Sequence, residues 1–217
     1  MPAPALPRIE DIPGMSDALR ALARRGEPRH FRKGTVLMQE GDDGSTLYVI
    51  LAGQLRVYSS NGGGRELTHG VYGPGEYIGE MSLDGGPRSA SVVAELASSC
   101  ALVARPLLQR FIGEHPEFAF ELLTKVIRRA RAATLSAKQL ALNDVYGRLV
   151  VLLRTLAVDM PGGQRMVDPL PTHQVLASQL GCSREMVSRL MKDLLQGGYI
   201  EVDAKRLRIR GVLPDRW

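Results

Sequence analysis

Two stretches of this chain hold polar groups at a spacing that could do chemistry. In the first, YIGEMSLDGGPRSASVVA at 77–94, Arg88 offers a planar fork suited to a phosphate, Ser89 adds a hydroxyl and a backbone donor, and Glu80 can accept from a sugar hydroxyl. Gly79 would let the backbone come close to a ligand. Taken singly, each has a plainer reading: a turn glycine, a surface ion pair between Glu80 and Arg88, a capping serine. In the second, THQVLASQLGCSREMVSRLMKDLLQ at 172–196, Arg184 and Arg189 carry the fork that reads O6 and N7 of guanine, and Glu185 can accept from the amino group of cytosine. Ser188 and Lys192 fall on the same face, whose plainer reading is a solvated charged surface. Neither stretch makes an enzyme. Glu80 with Asp84 gives a carboxylate pair, and Ser89 or Cys182 a nucleophile, but no histidine is placed to activate either. The two cysteines, Cys100 and Cys182, stand apart without partners at ligand spacing, so a disulfide framework, a zinc site and a four-cysteine cluster are excluded and no metal is expected.

The second stretch implies its own scaffold. Thr172 caps a helix running to about Leu180, Gly181 supplies a left-handed turn, and Ser183 caps a second helix. Leu176, Leu180, Val187 and Leu190 fall where the two helices touch, with small Ala177 at their crossing. Val187, Leu190 and Leu194 then fix the core side of the second helix and leave Arg184, Glu185, Ser188 and Arg189 outward, in the half that enters a major groove. Ile200, Val202, Leu207 and Ile209 alternate around Asp203-Ala204-Lys205-Arg206, predicting a hairpin with Lys205 and Arg206 at its tip near phosphates. This is a winged helix-turn-helix.

The first stretch sits in a different texture. From His30 to about Ala104, short apolar runs (Val36–Met38, 47–51, 55–58, Tyr77–Ile78, Ser91–Ala94 and 100–103) are separated by glycine-rich turns, predicting an antiparallel sandwich or roll, preceded by a short helix over Asp17–Arg25. Pro116 then opens a stretch to Asp144 without internal glycine or proline, predicting one long helix. Along it Ala119, Leu123, Val126, Ala130, Ala133, Ala137 and Leu140 alternate steps of four and three, a heptad seam rich in alanine, with Arg128, Arg129 and Arg131 leaving the other side charged. Such a stripe can pack on the roll or on a second copy of itself, and the narrow seam favours a homodimer through Ala119 to Leu140. A further helix follows from about 144 to Leu156, Pro161-Gly162-Gly163 breaks the chain, and a hinge is expected near Leu142 to Val145.

The length of 217 residues accommodates two domains, and a formal net charge of +5 suits a polyanionic partner. Met1 to Ile12 shows no basic start followed by an apolar core, and no apolar run approaches the roughly 18 to 20 residues of a membrane span, so a cytoplasmic protein is expected.

GCSREMVSRLMKDL resembles the recognition segment of the Crp/Fnr superfamily of bacterial transcription regulators, above all the catabolite activator (cAMP receptor) proteins. The ordered set G-E-x-x-L followed by P-R-S-A resembles the phosphate-binding cassette of cyclic-nucleotide-binding domains. The resemblance runs from about Pro28 to Gly211. It implies that Arg184, Glu185 and Arg189 read base edges in a palindromic TGTGA-type half-site, with Thr172, His173, Ser183 and Ser188 also at the DNA. His173 stands where close relatives carry an arginine near a phosphate. The resemblance further implies a cyclic nucleotide, cAMP first, on Gly79, Glu80, Arg88 and Ser89, with Arg129 and Thr134 of the long helix toward the purine. Ala133 replaces a threonine there, which opens the question of adenine against guanine. The spacer from Glu80 to Arg88 is one or two residues shorter than usual, which either reshapes the site or trims a loop.

The expected architecture is therefore α+β: a jelly-roll-like β-roll that binds effector (1–115), a long dimerisation helix and hinge (116–144), and a winged helix-turn-helix that binds double-stranded DNA (145–217). No cofactor is obligatory, and RNA polymerase is a further candidate partner. Two alternatives stay open: the same fold sensing another small molecule, or sensing none. A redox or haem sensor is disfavoured by the absence of an N-terminal cysteine cluster.

Overall fold

The computed structural model describes residues 7–160 and 164–214, with side chains throughout except at 139–142. The Pro161-Gly162-Gly163 break and the start of the N-terminal segment lie outside the described residues. The chain forms two compact units, one from the residues up to Ser59 with Thr68–Ala133, the other from Ser60–Leu67 with the residues from Thr134 onward.

The first unit opens with α1 (Asp17–Arg25), capped by the Ser16 hydroxyl, which accepts from Leu19 N at 3.0 Å. Eight strands follow: β1 (Glu27–Phe31), β2 (Val36–Met38), β3 (Thr46–Ala52), β4 (Leu55–Ser60), β5 (Glu66–Tyr72), β6 (Tyr77–Ile78), β7 (Ser91–Ala94) and β8 (Ser98–Ala104). They make two four-stranded sheets, ordered β1-β8-β3-β6 and β2-β7-β4-β5. Alternation along β3 divides the core. Leu47, Val49 and Leu51 meet α1 and Phe111 of α2 (Arg105–Glu114), while Ile50 joins Met38, Leu55, Ile78, Val92 and Cys100. Two strands and a helix go beyond the sequence reading. β1 is an edge strand of polar residues with almost nothing buried, and β5 is only half-buried, so neither shows apolar alternation. α2 begins with Pro106 in its first turn, where proline fits but reads as a break.

The long helix α3 spans Pro116–Leu142. Phe118 is fully buried in the roll's core and Leu122 packs against it, which fixes the inward face. The outward apolar line is Phe120, Leu123 and Ile127, at 74%, 54% and 43% exposure. This shifts the expected seam by one residue at two positions, because Ala119 and Val126 turn partly inward. Ala130, Ala133 and Ala137 are exposed, and the side chain of Leu140 lies outside the described residues. Arg129 is also not on the solvent side. No helix among the described residues is long and apolar enough to cross a membrane.

The second unit holds α4 (Val145–Leu156), capped by Asp144, whose carboxylate accepts from Gly147 N at 2.7 Å. α5 (His173–Leu180) and α6 (Arg184–Gln196) follow, with a four-stranded sheet ordered β11-β12-β10-β9 from β9 (Val158–Met160), β10 (Gln164–Val167), β11 (Ile200–Asp203) and β12 (Arg206–Ile209). Leu149, Leu153, Leu176, Val187, Leu194 and Leu207 share one core. The β11–β12 wing was legible in the sequence; β9 and β10 are too short and exposed to signal themselves. At the wing's tip Ala204 adopts φ +50°, the sole non-glycine residue with positive φ among the described residues. A left-handed alanine costs about 1 kcal/mol relative to glycine. Ala204→Gly is therefore expected to raise the stability of this unit by about 0.5–1 kcal/mol, seen as a higher urea midpoint with unchanged slope.

Candidate functional site

The residues of the first stretch converge around one buried arginine. Gly79 takes φ +90°, and a side chain there would put its Cβ 2.7 Å from the Thr46 carbonyl and 2.9 Å from Arg88 Nη1. Only glycine lets the strand end turn at this point. Arg88, at 6% exposure, donates from Nη1 to the Gly79 carbonyl (3.2 Å) and from Nη2 to the Thr46 carbonyl (3.1 Å). Gly44 also makes room for it, since a Cβ there would lie 2.5 Å from Nε. Burial pulls the guanidinium's pKa down from its ordinary value, partly opposed by Tyr48 and Glu80. No carboxylate forms an ion pair with it among the described residues.

Glu80 follows at the start of a single 3-10 turn (Glu80–Ser82), its side chain fully buried. Its ion-pair partner is Arg129 of α3, not Arg88, which corrects the plainer reading of the cassette. Arg129 Nη1 meets Oε1, and Oε2 has no hydrogen-bond partner among the described residues. Arg129 spends a hydrogen bond on the Tyr77 carbonyl (Nη2, 2.6 Å) and stacks its guanidinium over Tyr72, 4.7 Å from the ring centre. Burial pushes the Tyr72 and Tyr77 phenols above their ordinary pKa, so both rings stay neutral. Ser89 is exposed. Thr134, also exposed, lies beyond Arg129 on α3 and belongs to the other unit.

The spacer from Glu80 to Arg88 closes into a tight turn. Gly86 N bonds back to the Asp84 carboxylate at 2.9 Å, closing the turn on itself. The Arg88 backbone is pinned separately, donating to the Asp42 carbonyl (2.8 Å) and accepting from Gly41 N (2.9 Å). The 41–46 segment thus holds Arg88 through backbone and side chain alike. Gly44, Thr46 and Tyr72 went unrecognised in the sequence: they contribute through backbone, a missing side chain or a ring face, none of which has a motif.

In the second unit the helix-turn-helix forms as its caps dictate. Thr172 Oγ1 accepts from Val175 N (3.3 Å), Gly181 takes φ +64°, and Ser183 Oγ accepts from Met186 N (3.2 Å). Val187, Leu190, Met191 and Leu194 are buried, leaving Arg184, Glu185, Arg189 and Lys192 exposed on one side of α6. The hydrogen bond from its own backbone N–H, with one involving Ser183, holds the Glu185 carboxyl below its usual pKa, so it is an anion and an acceptor near neutrality. Ser188 is half-buried, 2.8 Å from His173 Nδ1. Arg148 of α4 clamps the turn from behind, donating to the Leu180 carbonyl from Nε (3.2 Å) and Nη2 (3.1 Å). At the wing Lys205 is exposed, while Arg206 is tied to Asp168 at 2.8 Å.

Residues 28–115 match the cyclic nucleotide-binding domain and residues 147–212 the Crp-like helix-turn-helix domain. A roll of the first kind joined to a reader of the second defines a DNA-binding transcription regulator and not an enzyme. Among similar proteins, the CRP-like cAMP-activated global transcriptional regulator of Mycobacterium tuberculosis is 30% identical over 196 residues, 88% of each chain. The cyclic AMP receptor protein of Thermus thermophilus is 32% identical over 183 residues, 84% of this chain and 83% of that one. The solved structure of the c-di-GMP responsive global regulator CLP of Xanthomonas campestris superposes with a TM-score of 0.77 at 25% identity, over 90% of this chain and 99% of that one. The chain belongs to the Crp/Fnr family of transcription regulators.

Removing one partner of the buried pair strands the other charge. Arg129→Met is expected to cost the roll about 3–5 kcal/mol near neutral pH, against a smaller loss for Arg129→Met with Glu80→Gln. The single variant's penalty should shrink as pH falls and the stranded carboxylate takes up a proton, and thermal unfolding across pH would show this crossover.

Proposed function

We propose that the chain acts as a cytoplasmic homodimer whose binding to a palindromic TGTGA-type operator is controlled by a cyclic nucleotide, cAMP first, held by Gly79, Glu80, Arg88 and Ser89. One observation carries this reading: a fully buried carboxylate, paired with Arg129 and left with acceptor capacity at Oε2, stands beside a buried arginine with which no carboxylate forms an ion pair among the described residues. A phosphodiester supplies the missing negative charge and a ribose 2′-hydroxyl the missing donor. The names of two relatives carry cAMP, which supports a cyclic nucleotide here, while the similar CLP is named as c-di-GMP responsive.

Because Glu80 is shared between the ligand and Arg129 of α3, a hydroxyl drawn to Glu80 changes the contact that seats the helix. Effector binding therefore favours one seating of α3, and operator DNA must tighten effector binding by the same factor that effector tightens DNA. On the DNA, Arg184 and Arg189 take guanines and Glu185 a cytosine, while Thr172, His173, Ser183, Lys205 and Arg206 hold the backbone. RNA polymerase is a further partner in this reading.

Calorimetry with cAMP, cGMP and c-di-GMP tests the effector. A cyclic mononucleotide is expected to bind, 2′-deoxy-cAMP at least about tenfold more weakly than cAMP, and Arg88→Ala to abolish measurable binding in a folded protein. A preference for c-di-GMP, or no binding, overturns the assignment. Separately, Leu123→Glu with Ile127→Glu should convert the dimer to a monomer in sedimentation, since both side chains stand on the outward apolar line of α3.

A further inference from the structure

We infer that His173 is a positioning residue that decides how Ser188 reads a base, so that the two side chains form one recognition unit bridging α5 and α6. The inference rests on the DNA-binding reading above and deepens it. His173 is the first residue of α5 and Ser188 lies within α6, and their side chains meet at 2.8 Å between Nδ1 and Oγ, with both residues half-buried. A serine inside a helix ordinarily turns its hydroxyl back onto the carbonyl four residues earlier, here Arg184. In this chain the hydroxyl is held by the neighbouring helix instead, at the edge of the face that carries Glu185 and Arg189.

The proton arrangement follows from what the other ring nitrogen meets. Nε2 has no protein partner among the described residues. Beside a DNA phosphate it must carry the hydrogen, because a phosphate oxygen only accepts. In a neutral imidazole Nδ1 is then bare, so the Ser188 hydroxyl donates to it. Its proton spent, the Ser188 oxygen presents only lone pairs to the groove. It can accept from an amino group, N6 of adenine or N4 of cytosine, and cannot donate to O6 of guanine or O4 of thymine. A backbone contact on one side thereby sets a base preference on the other.

Fluorescence anisotropy of the full chain tests this, with a TGTGA-type palindrome and the nucleotide that supports binding. Each half-site position is changed in turn to the other three base pairs. In the parent, one position should prefer a base presenting an amino group by about fivefold. Ser188→Ala and His173→Phe should each erase that preference and leave the other positions as they were. The double variant should lose nothing more, and His173→Asn, which keeps a polar atom near the Nδ1 position, should restore part of it. If His173→Phe weakens all sequences equally, or leaves the preference intact, the inference is overturned while the operator reading stands. If the parent does not prefer the palindrome to a scrambled duplex with any nucleotide or none, both fall together.

Discussion

A carboxylate taken wholly out of water must be met by an opposite charge, and among the described residues the ion-pair partner of Glu80 is Arg129. That requirement sets the rotation of α3 about its axis. One turn earlier Lys125 does the same work in milder form, pairing with Glu76 at 3.3 Å and lying over Tyr77 at 4.9 Å from the ring centre. Two cations four residues apart, each set over an aromatic ring and beside a glutamate, keep one face of the helix on the roll. Phe118 sets the same face in the core. The opposite face, with Phe120, Leu123 and Ile127, is then outward by necessity. The candidate effector site and the candidate dimer seam thus lie on opposite faces of one helix, which the buried ion pair and Phe118 orient together.

The same pair leaves groups in the candidate site whose hydrogen-bonding and charge capacity is not used up. Glu80 has acceptor capacity left over after Arg129, and Arg88 has positive charge left over after two neutral carbonyls. Both surpluses are costly in a buried place, and on the proposed reading a ligand carrying a phosphate and a hydroxyl would relieve both at once.

The DNA-reading unit is built on a different constraint, the narrow geometry of its turn. Gly181 admits the left-handed conformation, Thr172 and Ser183 satisfy the first free N–H groups of their helices, and Arg148 takes the Leu180 carbonyl where α5 ends. With the turn held from both sides, the apolar stripe of α6 has one way to pack, and its charged side has one way to face. His173 and Ser188 add a side-chain bond to this frame that no cap or stripe requires.

The local elements were legible in the sequence because their physics is local. Caps, turn glycines and helical periodicity act within a few residues, so α1, α3, α5, α6 and the wing could be read along the chain, and the ordered set from Gly79 to Ser89 marked the candidate effector site. The resemblance then joined these parts into one family, which the comparisons bear out. What only the tertiary structure decided are the pairings between distant segments: that Glu80 answers Arg129 and not Arg88, that Thr46 and Gly44 cradle Arg88, that His173 holds Ser188, and that the outward line of α3 runs through Phe120 and Ile127. None of these leaves a period or a motif. An amphipathic helix shows that it has an apolar face, but a helix with apolar residues on two sides has its rotation settled by whichever buried charge must find its partner.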